Sequence, residues 1–314
     1  MTTMGRTIHV NRNQRHLAWD KSIQPVVRIE SGDVVEFDMP ESSGGQVGPD
    51  STVQTIRDLD FTQVDPVNGP VYVEGAKPGD TLQIDILDLQ PADWGWTAIV
   101  PGFGLLADEF PDPAIKVWHF EDGSAEFAPG IRIPLEPFCG ETGVAPGEEG
   151  ALSTIPPYST GGNMDTKHLT KGATLYLPVQ TDGALFSMGD GHAAQGDGEV
   201  CGVAIETPMR ATVRLTVRTD HPVEQPQFLT AGPLNRRTNT APYYATDGVD
   251  PDLMEAARKA VRSMIKYLQR TYDLSRDDAY MLCSVAADLK ICEIVDAPHW
   301  LVGAFLPQSI FQQR

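Results

Sequence analysis

The sequence is poor in positive charge. Between Arg28 and Lys167 only four basic residues occur: Arg57, Lys77, Lys116 and Arg132. Across the chain 24 Lys and Arg face 43 Asp and Glu, a formal net charge of −19. Such a field repels a nucleic-acid duplex or an anionic bilayer, so neither is expected as a partner. Long apolar runs are missing too, and none approaches the ~20 residues of a membrane-spanning helix. The opening residues, MTTMGRTIHVNRNQRH, carry no apolar segment of a secretory signal, which leads to the expectation of a soluble, cytoplasmic protein. Cysteine is scarce: Cys139, Cys201, Cys283 and Cys292 have no CxxC spacing and read as reduced core thiols. No GxSxG elbow, no GxxxxGK[ST] loop and no strand–GxGxxG–helix unit is present. Those absences argue against a serine hydrolase of that type and against nucleotide binding.

What the chain does have is apolar substance and many turns. Of 314 residues 41% are hydrophobic, enough for a real core. The 29 Gly and 25 Pro are scattered as PG, GP and GD pairs, as befits turns between short strands. Two closely packed parts are expected: residues 1–166, β-rich with long Gly/Pro loops, and residues 167–314, strands followed by helices. The fold class is mainly β with an α+β portion, its strands arranged as a sandwich or barrel and two amphipathic helices near the C-terminus.

The strand evidence is local. Pro25–Ile29 and Asp33–Phe37 are β-branched runs split by Ser31-Gly32, and Thr81–Leu87 alternates apolar and polar residues. Strands are also expected at Pro70–Glu74, Thr174–Val179, Ala184–Met188, Gly202–Glu206, Ala211–Val217 and Val302–Pro307. Residues 91–166, dense in Pro, Gly and aromatics, read as long ordered loops carrying short strands. Ser42–Gln46 reads as a flexible loop covering something. Asp250-Pro251 supplies an N-cap and a first-turn Pro, and Met254, Ala257, Val261, Met264, Ile265 and Leu268 follow at helical spacing. A second helix opens at Ser275 and buries Leu282, Val285 and Leu289.

One segment concentrates chemistry: Met188-Gly189-Asp190-Gly191-His192-Ala193-Ala194-Gln195-Gly196-Asp197-Gly198-Glu199. Its glycines let the backbone fold tightly, and carboxylate with neutral imidazole is a good donor set for Zn²⁺. Asp197 on its own is read as a turn residue bonding its own backbone, and the Asp190–His192 pair as functional. Gly161-Gly162-Asn163-Met164-Asp165 delivers an amide and a second carboxylate from a loop. Glu74 ends an apolar strand and reads as a surface residue. Cys139 reads as a small buried hydrophobe. The remaining histidines are isolated, with His16 set apart by the neighbouring Trp19-Asp20.

Taken together and in order, these motifs resemble the acetamidase/formamidase family. The resemblance runs through Ser43–Gln46, Gly69-Pro70 with Glu74–Asp80, Gly143–Pro146, Gly161–Asp165, Gly189–Glu199, and Asp288-Leu289 placed on the last helix. It implies a β-dominated, usually oligomeric enzyme that hydrolyses formamide or acetamide to ammonia and the acid. It also implies a divalent metal near the Asp/His cluster, with Asn163, Asp165, Asp190, His192 and Glu199 lining the site. One departure stands out: where the family often has His-Pro, this chain has Asp65-Pro66. An unactivated amide needs both a nucleophile and oxyanion stabilisation, and a metal-activated water meets both needs. Asp165, Asp190 and His192 are accordingly assigned as metal ligands, Glu199 as general base and proton shuttle, and Asn163 as substrate anchor. The metal is expected to be Zn²⁺, with room for a structural Ca²⁺ in the acidic loops. The alternatives are a hydrolase of cyclic amides (γ-lactams) and a non-enzymatic divalent-metal-binding protein. A homodimer or larger assembly is expected, because the C-terminal helices or the loops around Trp94 and Trp96 would expose apolar surface.

Overall fold

A computed structural model describes residues 7–232, 242–295 and 297–312. The alternation in Thr81–Pro91 does what period-two patterning requires. Leu82, Ile84 and Ile86 are buried, while Gln83 and Asp85 face outward; beyond a bulge the phase shifts and Leu89 turns inward. This strand lies in a six-stranded sheet ordered Thr7–Val10, Val34–Met39, Met209–Arg218, Thr81–Pro91, Thr174–Pro178, Gln227–Leu229. Only the first pair is parallel.

A seven-stranded sheet packs against it. Its order is Pro157–Tyr158, Gly161–Asn163, Phe138–Val144, Phe186–His192, Val67–Val73, Arg15–His16, with Val27–Ile29 running parallel to Val67–Val73. Phe37 of the first sheet meets Phe186 of the second edge-on, ring centres 5.9 Å apart. Around them Val35, Ile84, Leu175 and Val213 close on Val71, Val144 and Met188 in one buried cluster. Each such side chain contributes ~1.5–3 kcal/mol by leaving water. Among the described residues both sheets stay open, so the expected alternative of sandwich or barrel resolves as a sandwich.

A second core lies beside the first. The helix Leu253–Tyr272 buries Ala256, Ala260, Val261, Met264, Ile265 and Leu268, the expected stripe shifted at its start, with Met254 exposed. Its N-cap is Asp252, which accepts from Glu255 N–H at 2.9 Å, not Asp250. Asp250 ends the strand Tyr243–Asp250 and is engaged by Asp252 N–H and Lys259. The helix Arg276–Ala286 starts at Ser275 as expected. Leu289 is not on it: the chain turns extended at Ala287, and Asp288-Leu289 opens the strand Asp288–Glu293. That strand pairs with Trp300–Pro307, which also pairs with Tyr243–Asp250.

The middle of the chain is more regular than its composition indicates. Trp94–Ile99, Ala114–Glu121, Ser124–Ala128 and Ile131–Pro134 form a four-stranded antiparallel meander, not loops with short strands. Asp122 and Gly123 turn one hairpin with φ of 50° and 69°, the left-handed pair that matches strand twist. Trp118, Phe127 and Ile133 of the meander share a core with Met264, Leu268 and Tyr280 of the helices. Trp96 and the helix faces are therefore covered within one chain, which removes the reason given for exposed apolar surface there. Gly202–Glu206, expected as a strand, makes only isolated bridges, and a short helix at Val53–Arg57 was not anticipated. Among the described residues no helix is long and apolar enough to cross a membrane.

Candidate active site

The strand Phe186–His192 passes from one core to the other, and its last residues carry the acid–base groups. Phe186 and Met188 belong to the sandwich, Ala193 and Ala194 to the second core. At this seam the chain is bent into the left-handed region at four acidic residues: Asp65 (φ 51°), Asp165 (43°), Asp190 (54°) and Glu199 (41°). Each such residue costs ~1–2 kcal/mol relative to right-handed or extended backbone. The concentration of this strain at one place marks a site.

Convergence requires a missing side chain. Gly140 lies on the neighbouring strand, between the pairs Cys139–Gly191 and Glu141–Gly189. A Cβ there would stand 2.6 Å from Asp165 Oδ1 and 3.0 Å from His192 Cε1, and would overlap Asp190 Oδ2. The Gly140 carbonyl also accepts from Met164 N–H and Asp165 N–H, tying the Asp165 loop to the same strand.

His192 is the centre, 1% exposed and held edge-on to Phe138. Its Nε2 lies 3.0 Å from Asp190 Oδ2, 3.2 Å from Glu206 Oε2 and 3.9 Å from Glu199 Oε1. The other nitrogen, Nδ1, is 2.9 Å from Gln195 Oε1. Gln195 Nε2 donates to the Asp165 carbonyl, so Oε1 faces the ring and Nδ1–H is the donor. Nε2 is thereby the nitrogen turned toward the carboxylates. Burial disfavours charge on His192, yet Asp190 and Glu206 outweigh it and hold its pKa well above the usual imidazole value. Burial pushes Asp165 and Asp190 up to about 6, against the opposing pull of His192. Burial, reinforced by Asp165, lifts Glu199 well above the carboxylate range.

These residues suit a dication. Asp190 Oδ1, Asp165 Oδ1 and Glu206 Oε2 are buried acceptors with no hydrogen bond among the described residues, a costly state for a carboxylate unless a cation meets it. Donor atoms of Asp190, His192 and Glu206 lie within 4.8 Å of one another, as do those of Asp165, His192 and Glu199. The second ring nitrogen is fixed by Gln195, the outer-shell support that imidazole ligands of metals need.

Of the residues picked from sequence, Asn163, Asp165, Asp190, His192 and Glu199 all reach one cavity of about 310 Å³. Asn163 Nδ2 donates to the Ile155 carbonyl at 3.0 Å, and its Oδ1 is buried without a hydrogen bond. Of the Ser42–Gln46 loop, Ser42 and Ser43 line the cavity, and Glu41 anchors the loop by accepting from Ser43, Gly45 and Trp96. Other candidates lie elsewhere. Glu74 pairs with Arg28 at the surface, and His16 bonds Ser187 and the Ala18 carbonyl. Burial raises the Cys139 thiol to about 12, far from a nucleophilic thiolate. Cys292 is exposed and not a core residue.

Four contributors escaped the sequence reading. Glu206 sits at the end of what read as a strand, and Gln195 inside the motif itself. Glu141 lies on a strand buried along its whole length, with neither carboxylate oxygen bonded. Its burial, then Asp65, Asp190 and Asp165, push its pKa well up. Asp65, the departure from the family pattern, lines the cavity, and burial with Asp190 raises it too. The signal was there: a carboxylate in place of an imidazole beside Pro66.

The model of the Acetamidase/Formamidase family matches residues 3–151 and 147–313. A formamidase of Methylophilus methylotrophus is 28% identical over 95% of this chain and 90% of its own. A γ-lactamase from Delftia acidovorans superposes with a TM-score of 0.89 at 25% identity, over 96% of this chain and 90% of that one. An acetamidase from Bacillus halodurans gives a TM-score of 0.68 at 32% identity, over 95% and 97%. The chain therefore belongs to the acetamidase/formamidase family and is an amidase.

Proposed function

We propose that this amidase hydrolyses short aliphatic amides such as formamide and acetamide to ammonia and the carboxylic acid, with a divalent cation held at His192. The observation that carries the reading is the ring of carboxylates around His192 Nε2, with buried oxygens lacking hydrogen bonds beside it. Asp190, His192 and Glu206 would hold the ion, with Asp165 adjacent in the second donor group. Both groups include an imidazole nitrogen, a donor that favours Zn²⁺ over Ca²⁺. When bound, the cation supplies Lewis acidity toward the amide carbonyl and toward water.

The chain's own groups do the rest. Glu199 faces the cavity with a raised pKa, so it can take a proton from water and pass it to the departing nitrogen. An amide nitrogen leaves only once protonated, and a carboxyl raised above its ordinary range holds a captured proton until it is delivered. Asn163 Oδ1 accepts from a substrate N–H, and its Nδ2 bond to Ile155 keeps it oriented. Cyclic amides form a second reading, favoured by the closeness of the fold to the γ-lactamase. Buried free thiols suit the reducing cytoplasm. Exposed Ile291, Ile294 and Val295 offer apolar surface to a second copy in a homo-oligomer.

The test is ammonia release from acetamide alongside elemental analysis, before chelation, after it, and after Zn²⁺ is restored. Activity should fall with metal content and return with it. Undiminished turnover by the stripped protein would remove the metal from the reading.

A further inference from the structure

The cavity is larger than a formamide or acetamide site needs. Its volume of about 310 Å³ corresponds to roughly ten waters at ~30 Å³ each, whereas acetamide displaces about three. Its polarity is also graded. The floor is acidic and closed: Asp190, His192 and Glu206 are 4%, 1% and 2% exposed. The cavity is also lined by the apolar side chains of Phe61, Val64, Val100, Phe103, Ile155 and Val203. Two of these, Phe61 and Phe103, stand at the mouth, 47% and 39% exposed. Gly202 makes room for the second ring, since a Cβ at Gly202 would lie 2.5 Å from Phe103 Cδ1. A neighbouring depression shares Phe61, Val64 and Ile155 and mixes Leu17 and Leu152 with Thr62, Ser153 and Thr154. Nothing in acetamide uses the apolar lining.

Resting on the amide-hydrolase reading, we propose that the preferred substrates are open-chain primary carboxamides whose acyl part is an apolar group of about five to ten heavy atoms, in keeping with a site of this size. The amide enters first and reaches the acidic floor, and the acyl group lies against Phe61, Phe103 and Ile155. An anionic acyl group is excluded by the carboxylates below. The primary amide is favoured because two acceptors outside the proposed metal ligands line the cavity, Asn163 Oδ1, which has no donor among the described residues, and the Glu199 carboxyl. An NH₂ group brings two N–H donors and a lactam only one. The reaction is balanced as hydrolysis: water's oxygen bonds the carbonyl carbon, the C–N bond breaks, one of water's protons leaves on the nitrogen as ammonia and the other remains with the carboxylic acid.

The experiment is a series of kcat/KM values for metal-replete protein on acetamide, butyramide, hexanamide and phenylacetamide, with a bicyclic γ-lactam of hexanamide's size. Each buried methylene is expected to raise kcat/KM about fourfold, so hexanamide should exceed acetamide at least fiftyfold. Replacing both mouth aromatics (Phe61→Ala with Phe103→Ala) should lower the hexanamide-to-acetamide ratio tenfold or more. Circular dichroism checks that this surface variant is folded. Acetamide turnover with hexanamide at or below it would overturn the inference and leave the amide-hydrolase reading standing. A lactam cleaved faster than hexanamide would overturn the open-chain assignment. Failure on every amide, acetamide included, would instead strike the reading beneath it.

Discussion

Gly140 is where the site can be broken with one methyl group. In Gly140→Ala the new Cβ would lie 2.6 Å from Asp165 Oδ1 and 3.0 Å from His192 Cε1, and would overlap Asp190 Oδ2. Ordinary contact needs ~3.4 Å or more, so at least one carboxylate must retreat by about 1 Å, and a displacement of that size costs on the order of a hundredfold in rate. The neighbours cannot yield freely. Asp190 is fixed by its left-handed backbone, and the Asp165 loop is hydrogen-bonded to the Gly140 carbonyl. The expected result is a hundredfold or greater loss of kcat/KM for ammonia release together with reduced metal content. Far-ultraviolet circular dichroism should be preserved, because the sandwich core lies on Phe186 and Met188, away from the clash. Gly48→Ala is the control, since its methyl would meet nothing within 4 Å. A Gly140→Ala enzyme with unchanged metal content and unchanged turnover would refute the convergence of Asp165, Asp190 and His192 on one centre.

Three further outcomes are expected. Glu199→Gln should keep its metal and lose rate by about 10²–10⁴; loss of metal instead would make Glu199 a ligand and not the base. The metal-free protein should be less heat-stable at pH 8 than at pH 5. Carboxyls raised to about 6 in the fold, as Asp165 and Asp190 are, stabilise it fully below their unfolded value near 4 and lose that contribution as pH rises through 6, ~2–3 kcal/mol each before coupling. Excess Zn²⁺ should flatten this dependence, and melting scans at both pH values with and without it decide the matter. Asp288→Ala should destabilise by about 1–3 kcal/mol in urea, because the half-buried Lys167 ammonium loses the nearer of its two carboxylates and keeps only Asp197 at 3.5 Å. Asp288 also accepts from Asp197 N–H. A loss under ~1 kcal/mol would mean that Asp197 alone suffices for Lys167.

The strands and helices were readable wherever one face meets a core and the other meets water. Thr81–Pro91 and Leu253–Tyr272 are such elements, and their period survives in the sequence. Phe138–Val144 is buried on both faces and contains Gly140, Glu141 and Gly143, so it shows neither alternation nor an apolar run. The meander after Trp94 was hidden by its density of Gly and Pro, although Asp122-Gly123 carried a hairpin signal between β-branched and aromatic residues. In the site, Asp190, His192 and Glu199 share one motif and were legible. Glu206 and Asp65 were not, because proximity across 14 or more residues of chain is a property of the seam between cores. The glycines of that motif indicate a tightly folded backbone, yet His192 is the last residue of a buried strand, packed on Phe138.

The left-handed backbone at Asp65, Asp165 and Asp190 also restricts how this enzyme can change over evolutionary time. Asn, Asp and Gly tolerate φ near +50°, whereas β-branched and bulky side chains do not. The neighbourhood of these positions in sequence space is therefore nearly one-dimensional: charge can be removed by Asp→Asn, or the side chain deleted by Gly, without moving the main chain. No comparable route leads to Val, Ile or Thr. Descendants of this chain can thus vary the electrostatics of the floor in single steps, while its shape is inherited almost unchanged. Novelty in substrate choice is left to the aromatic mouth, where Phe61 and Phe103 carry no such backbone constraint.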